Sequence, residues 1–171
     1  HIVALGTHEF VSADDSVEQV LREIRSQGGL SIAAHPVHTG KLEPQTYHLW
    51  NRRRELRSLF DAWEVASGRQ FSQEVARSGL PMIANSDLHH PRQLSSWKTV
   101  LNCERHPEAI LRAIRRQEVQ FKFFEDRTNE GSGLNLLSNL HPDFRDSTPT
   151  HAAAAVAAIA AVATVATSAQ T

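Results

Sequence analysis

Short apolar runs alternate with amphipathic stretches between residues 2 and 124, and this alternation constrains the fold more than any other feature of the chain. The apolar runs are typical of buried strands, and the stretches between them repeat apolar residues at helical spacing. Strands that alternate with helices predict an α/β fold with parallel strands and crossover helices. Strands are predicted at 2–5, 30–34, 62–65, 82–85, 97–102 and 119–124, and helices at 16–27, 47–60, 70–77 and from 107 onward.

The alternation predicts one domain over residues 1–124, followed by two segments of different composition. Residues 125–150 are polar and rich in turn formers, which is typical of a linker. Residues 151–171 are rich in alanine and carry no Lys, Arg, Asp or Glu, so we expect a loose helix or a disordered tail. The apolar run of this tail is shorter than the roughly 20 residues of a membrane span. We expect a cytoplasmic protein, with membrane anchoring by this tail as the alternative.

Charge and cysteine content narrow the class of protein further. The 18 basic and 19 acidic residues give a net charge of −1, so charge does not favour a nucleic-acid partner. The single cysteine, Cys103, cannot form an internal disulfide, which fits a reducing compartment. The chain starts at His1, directly before a strand-like run, and we therefore expect an N-terminal part of the fold to be missing. No feature of the sequence indicates an oligomeric state.

Polar residues follow successive predicted strands at their carboxyl ends, where parallel α/β folds gather functional groups. His35 follows the second strand, Glu64 lies near the end of the third, and Asp87 and His89 follow the fourth. Pro36 predicts an extended backbone at His35, which would aim its imidazole out of the sheet. Taken singly, each residue could be a strand cap or a surface side chain. Their shared position instead favours a site for a divalent metal.

The sequence lacks the motifs of several other catalytic classes. It has no nucleophile elbow, glycine-rich phosphate loop, Cys-x-x-Cys pair or His-Glu-x-x-His helix. Histidine and aspartate at strand ends can support hydrolysis without those parts, because a divalent ion activates water as the nucleophile.

Three segments resemble the second half of a PHP domain, the polymerase and histidinol phosphatase superfamily. They are the segment ending in Ala34-His35-Pro36, the segment Asp61-Ala62-Trp63-Glu64-Val65, and the segment ending in Ser86-Asp87-Leu88-His89. The run from His1 to Gly6 is similar to a middle segment of that family, in which a ligand histidine starts the strand. The resemblance covers about residues 1–123.

The resemblance implies the C-terminal portion of a distorted (β/α)7 barrel, with the N-terminal strands missing. It implies a metal-dependent phosphoesterase that hydrolyses a small phosphorylated substrate with a metal-bridging hydroxide. Two or three divalent ions (Mn, Fe or Zn) would bind at the strand ends. Carried over by position, the metal ligands are His1, His35, Asp87 and His89, with Asp87 also assigned to catalysis.

Other roles are assigned from position alone. His38 and Arg69 are candidates for binding the phosphoryl group, Glu64 for orienting a ligand histidine, and His90 for lining the same cleft. The family's remaining ligands would precede His1, so we expect this chain on its own to be weakly active or inactive. The alternatives are a non-catalytic PHP-like binding module and a metal-dependent hydrolase of C–N bonds.

Overall fold

The computed structural model describes residues 1–37, 47–124 and 163–165, with the side chains of Arg92 and of 163–165 excepted. The strands are β1 (Ile2–Leu5), β2 (Leu30–Ala33), β3 (Ala62–Ser67), β4 (Gln70–Phe71), β5 (Met82–Asn85), β6 (Trp97–Leu101), β7 (Val119–Phe123) and β8 (Ala163–Val165). The helices are α1 (Val17–Ser26), α2 (His48–Asn51), α3 (Arg53–Leu56), α4 (Gln73–Ala76) and α5 (Pro107–Arg115), with a 3-10 helix at Pro91–Leu94.

A mixed six-stranded sheet forms the centre of the fold. Its order is β4-β3-β2-β1-β8, and β5 also pairs with β3. The pairs β2–β3 and β3–β5 are parallel, as the alternation predicts. β4 pairs antiparallel with the end of β3, and β8 pairs antiparallel with β1. The chain is therefore an α/β protein with a parallel centre.

The prediction of parallel strands is wrong for β1, which pairs antiparallel with β2. The reason is the path of the chain between them. A β-carbon placed on Gly29 would lie 3.0 Å from the carbonyl oxygen of Leu5, so α1 ends beside the point where β1 ended. β2 must then start there, and Leu5 pairs with Leu30. Alternation predicts the order of elements but does not fix the direction in which the next strand starts.

β6 and β7 also run antiparallel, in a separate two-stranded sheet, although the sequence pattern predicted another parallel passage. This small sheet joins the main one through a side chain. The hydroxyl of Thr99 donates to the carbonyl oxygen of Ala84 at 2.8 Å and accepts from the Ala84 N–H at 2.9 Å. A hydroxyl on β6 thus occupies the place of a backbone partner for β5.

Several predicted elements differ in extent from those observed. The predicted helix 47–60 is divided into α2 and α3, and the helix predicted from Gln70 starts later, at Gln73. Ser72 caps that helix, because its side chain accepts from the N–H of Val75. Gln70 and Phe71 consequently lie outside the helix, and they form β4. The predicted start of α1 is confirmed, since Ser16 and Gln19 form a reciprocal capping box.

The alanine-rich tail is described only at residues 163–165, which form a strand against β1, where we expected a loose helix or a disordered tail. The predicted linker at 125–150 and the rest of the tail lie outside the described residues. No helix in the described ranges is long and apolar enough to cross a membrane.

The core lies on both faces of the main sheet. On one face, buried side chains of α1 to α4 pack around Trp63, which is 0% exposed. On the other face, Ala113 and Ile114 of α5 pack against Leu30, Ile32 and other buried residues. Alternate residues of β2 and β3 point to the two clusters, as expected for strands that are buried on both sides.

The amino edge of the parallel strands is fixed by a charged network. Asp61 accepts hydrogen bonds from the N–H of Ser31 at 2.9 Å and from its hydroxyl at 3.2 Å. Arg115 of α5 donates to the carbonyl oxygens of Gly28 at 2.6 Å and Gly29 at 3.0 Å, and its Nε lies 3.8 Å from Asp61. This network ties α5 to the starts of β2 and β3, at the edge opposite the predicted site.

Candidate functional site

His1 and His35 lie together because β1 is antiparallel to β2. The amino end of β1 therefore meets the carboxyl end of β2, and the Ala34 N–H donates to the His1 carbonyl oxygen at 3.1 Å. Nδ1 of His1 is 2.9 Å from Nε2 of His35, and the two rings meet edge to face with centroids 4.8 Å apart. The parallel arrangement expected from the sequence would have put His1 at the opposite edge.

The backbone of His35 is not extended, as Pro36 had led us to expect. Its φ of +31° lies in the left-handed region, which non-glycine residues seldom adopt. In this conformation its N–H donates to Oε2 of Glu64 at 2.5 Å. A hydrogen bond to a buried carboxylate thus accompanies the unusual backbone, and such strained positions cluster at functional sites.

Glu64 is the buried acidic residue beneath these histidines, at 5% exposure. Its Oε1 accepts from the side-chain amide of Asn85 at 2.8 Å. Burial raises the pKa of Glu64, and the hydrogen bonds from Asn85 and the His35 N–H oppose this, while the charge of Asp87 raises the pKa further. Glu64 therefore connects the ends of β2, β3 and β5. Glu64 contacts the backbone N–H of His35, whereas we expected it to orient the His35 ring.

Asp87 and His89 follow β5 in an exposed loop. Asp87 has a φ of +51°. Nδ1 of His89 lies 2.8 Å from the Asp87 carbonyl oxygen and 3.7 Å from its Oδ1. A carbonyl oxygen only accepts, so Nδ1 carries the proton in this contact, and in the neutral ring the lone pair is then on Nε2. A lone pair on Nε2 is what a metal ligand requires. His90 is exposed in the same loop.

The side chain of Gln93, in the 3-10 helix, holds this loop. Its Oε1 accepts from the N–H groups of His89 at 2.7 Å and His90 at 2.6 Å. Its Nε2 donates to the carbonyl oxygen of Asp87 at 2.9 Å. Gln93 and Asn85 were not predicted from the sequence, because a single amide side chain carries no spacing signal. An amide shortly after an Asp-x-His turn is the only cue that the sequence offered.

A small open cleft adjoins the histidine pair. It is lined by His35 and Glu64 at one end, and also by Val37, Val65, Ser67, Gln70, Phe71, Ser72 and Glu74. The cleft therefore lies where the carboxyl ends of β2 and β3 meet β4. Of the histidine pair, His35 lines this cleft, together with the buried Glu64.

The structure describes one of the two predicted phosphate-binding residues, Arg69. Arg69 is exposed on the turn between β3 and β4, and its guanidinium carbon lies 5.4 Å from the ring centroid of Phe123. Arg69 does not line the cleft. His38 lies outside the described residues.

The ligands predicted from the sequence form two pairs. Within residues 1–37 and 47–124, no group of three or more His, Cys, Asp or Glu side chains is arranged to hold a metal ion. One pair is His1 with His35, and the other is Asp87 with His89. A complete metal site would need these pairs to be supplemented or brought together.

The chain is similar both to a family model and to solved structures. Residues 69–119 match the family model described as PHP-associated. The chain is also similar to the solved structure of a two-domain protein from Bacteroides vulgatus containing a predicted PHP-like metal-dependent phosphoesterase. That match has 22% identity and a TM-score of 0.54, and it covers 72% of this chain and 40% of the other.

Among curated proteins, none matches this chain. The structural match indicates a shared fold over less than half of the larger protein. The family match begins at Arg69, within the β3–β4 turn, and runs through β5 and the Asp87–His90 loop to the start of β7. The family match over residues 69–119 and the fold shared with a protein that contains a PHP-like domain both agree with the resemblance seen in the sequence.

Proposed function

We propose that this chain forms part of a PHP-type metal-dependent phosphoesterase, in which His1, His35, Asp87 and His89 are metal ligands. The observation that carries the proposal is the 2.9 Å separation between Nδ1 of His1 and Nε2 of His35. The chain spans 40% of the similar two-domain protein, so the distorted (β/α)7 barrel, the activity and a small phosphorylated substrate all belong to the proposal.

The histidine pair has a spacing that suits two ligands of one ion. Metal–nitrogen bonds of about 2.1 Å at tetrahedral or octahedral angles put neighbouring ligand atoms roughly 3 Å apart. A short contact between two ring nitrogens otherwise requires a proton on one of them. Metal binding would need both nitrogens deprotonated, and would satisfy both lone pairs. The donor set of neutral imidazoles and a carboxylate fits Mn, Fe or Zn.

The remaining roles in the reaction would be shared between the ions and the described residues. When bound, two or three divalent ions would supply a hydroxide nucleophile near neutral pH and stabilise negative charge on the phosphoryl oxygens. His89 holds its proton on Nδ1 and leaves Nε2 available. Glu64 fixes the backbone of His35 and the amide of Asn85, and so sets the spacing of the two strand ends. Arg69 is assigned to the phosphoryl oxygens of the substrate.

Metal content tests the proposal. The full-length protein that contains this chain would be produced with Mn, Fe and Zn in the medium, and its bound metal measured by elemental analysis. We expect His35→Gln and Asp87→Asn to lower metal content, while the exposed His48→Gln and Asp14→Asn should leave it unchanged. The activity test is metal-dependent hydrolysis of p-nitrophenyl phosphate. Unchanged metal content in both site variants would reject the ligand assignment.

A non-catalytic PHP-like module is the second candidate. The observation that favours it is that the predicted ligands form two pairs in the described ranges and no larger group. In that case the wild-type protein should contain no stoichiometric metal and should not hydrolyse the phosphate ester. Bound metal that is lost in Asp87→Asn would reject this candidate.

A further inference from the structure

We infer that Gln93 is a positioning residue for the Asp87–His89 ligand pair, an inference that rests on the proposed function. Gln93 does not bind the ion in this arrangement, because its two polar atoms are occupied by the loop. Its Oε1 accepts from the N–H groups of His89 and His90, and its Nε2 donates to the Asp87 carbonyl oxygen. One side chain thereby closes the whole turn between the two ligands.

The loop needs such support because little else fixes it. The side chains from Asp87 to His90 are all exposed, so packing does not hold them. Asp87 is also in the left-handed region, at a φ of +51°. The carbonyl oxygen that receives the Gln93 amide is the same oxygen that Nδ1 of His89 contacts at 2.8 Å. Gln93 therefore fixes the acceptor that sets the tautomer of His89.

Residues that orient metal ligands without touching the ion affect affinity more than stability. Loss of such partners typically weakens metal binding by about 10- to 100-fold. At Gln93 the groups released by a substitution would face solvent, and water would replace their hydrogen bonds. We therefore expect weaker metal binding with no matching loss of fold stability.

The test uses Gln93→Met, which keeps the length of the side chain and removes its hydrogen bonds. Gln120→Met, at an exposed position on β7, is the matched control. Metal-free protein would be titrated with Zn²⁺ or Mn²⁺ by calorimetry. We expect Gln93→Met to raise the dissociation constant about tenfold or more. Its thermal midpoint without metal should stay within the range of the control.

A second measurement does not depend on metal. In metal-free protein, the amide protons of His89 and His90 should exchange faster with solvent in Gln93→Met than in wild type. The shorter Gln93→Asn keeps the amide but shortens its reach, and we expect it to behave like Gln93→Met. Equal exchange and equal affinity in wild type and Gln93→Met would overturn the inference.

The controls separate this inference from the proposed function. Wild-type protein that does not bind metal would overturn both. Metal binding that is lost in Asp87→Asn but kept in Gln93→Met would overturn only the role of Gln93. A lower thermal midpoint in Gln93→Met without metal, together with wild-type affinity, would assign Gln93 a purely structural role.

Discussion

Replacing Glu64 tests whether this buried carboxylate holds the strand ends together. In Glu64→Leu, the His35 N–H and the Asn85 amide lose their acceptors. A buried donor left without a partner costs about 1–3 kcal/mol. Two such donors give about 2–6 kcal/mol, and the open cleft allows water to reach the site, which favours the lower half of that range. We expect the free energy of unfolding to fall by about 2–4 kcal/mol.

Glu64→Gln should behave differently, because glutamine can keep both contacts. Its oxygen can accept from the His35 N–H, and its amide can donate to Asn85 after the Asn85 side chain flips. The expected loss is below about 1 kcal/mol. Urea unfolding of wild type and both variants gives the comparison, with Glu74→Leu at the exposed cleft rim as control. Equal destabilisation by Leu and Gln at position 64 would refute the hydrogen-bond reasoning.

Three further predictions concern stability. Burial raises the pKa of Glu64 in the folded protein, so this carboxyl ionises at a lower pH in the unfolded chain. The free energy of unfolding of wild type should therefore fall as pH rises from about 4.3, the ordinary pKa of a glutamate, through the higher pKa of the folded state. The free energy of unfolding of Glu64→Gln relative to wild type, measured in urea titrations, should therefore rise with pH. A difference that stays constant with pH would contradict this. Because Asp87 has a φ of +51°, Asp87→Ala should unfold about 1 kcal/mol more easily than Asp87→Gly in urea. Equal values would show that the backbone relaxes. A β-carbon on Gly29 would lie 2.8 Å from Thr7, so Gly29→Ala should cost about 1–3 kcal/mol, and an unchanged melting midpoint would argue against this.

The sequence allowed the strands that carry the site to be predicted, because each is a short apolar run that stops at a polar residue. His35, Glu64 and Asp87 lie at neighbouring strand ends as predicted, since β2, β3 and β5 are parallel. The direction of β1 could not be predicted. This direction depends on where α1 ends relative to β1. The close approach of Gly29 to Leu5 that determines it is a tertiary contact, and no local sequence pattern indicates it.

Local backbone and side-chain contacts were harder to predict. Because His35 precedes a proline, its backbone was predicted to be extended. It instead has a φ of +31°, and its N–H donates a hydrogen bond to Glu64. Gln93 and Asn85 act through single amide contacts, which have no periodicity in the sequence. The position of His35, Glu64 and Asp87 at one edge of the sheet was therefore predictable, but the side chains that contact them were not.

The network of Asp61, Ser31 and Arg115 has a consequence for how this fold can change over evolution. It fastens the starts of β2 and β3 to α5, at the edge away from the histidines. The Asp87–His90 loop at the other edge is exposed and contributes little packing. Substitutions in that loop can therefore accumulate while the scaffold is kept, so proteins with this architecture could diverge in this loop and keep their fold.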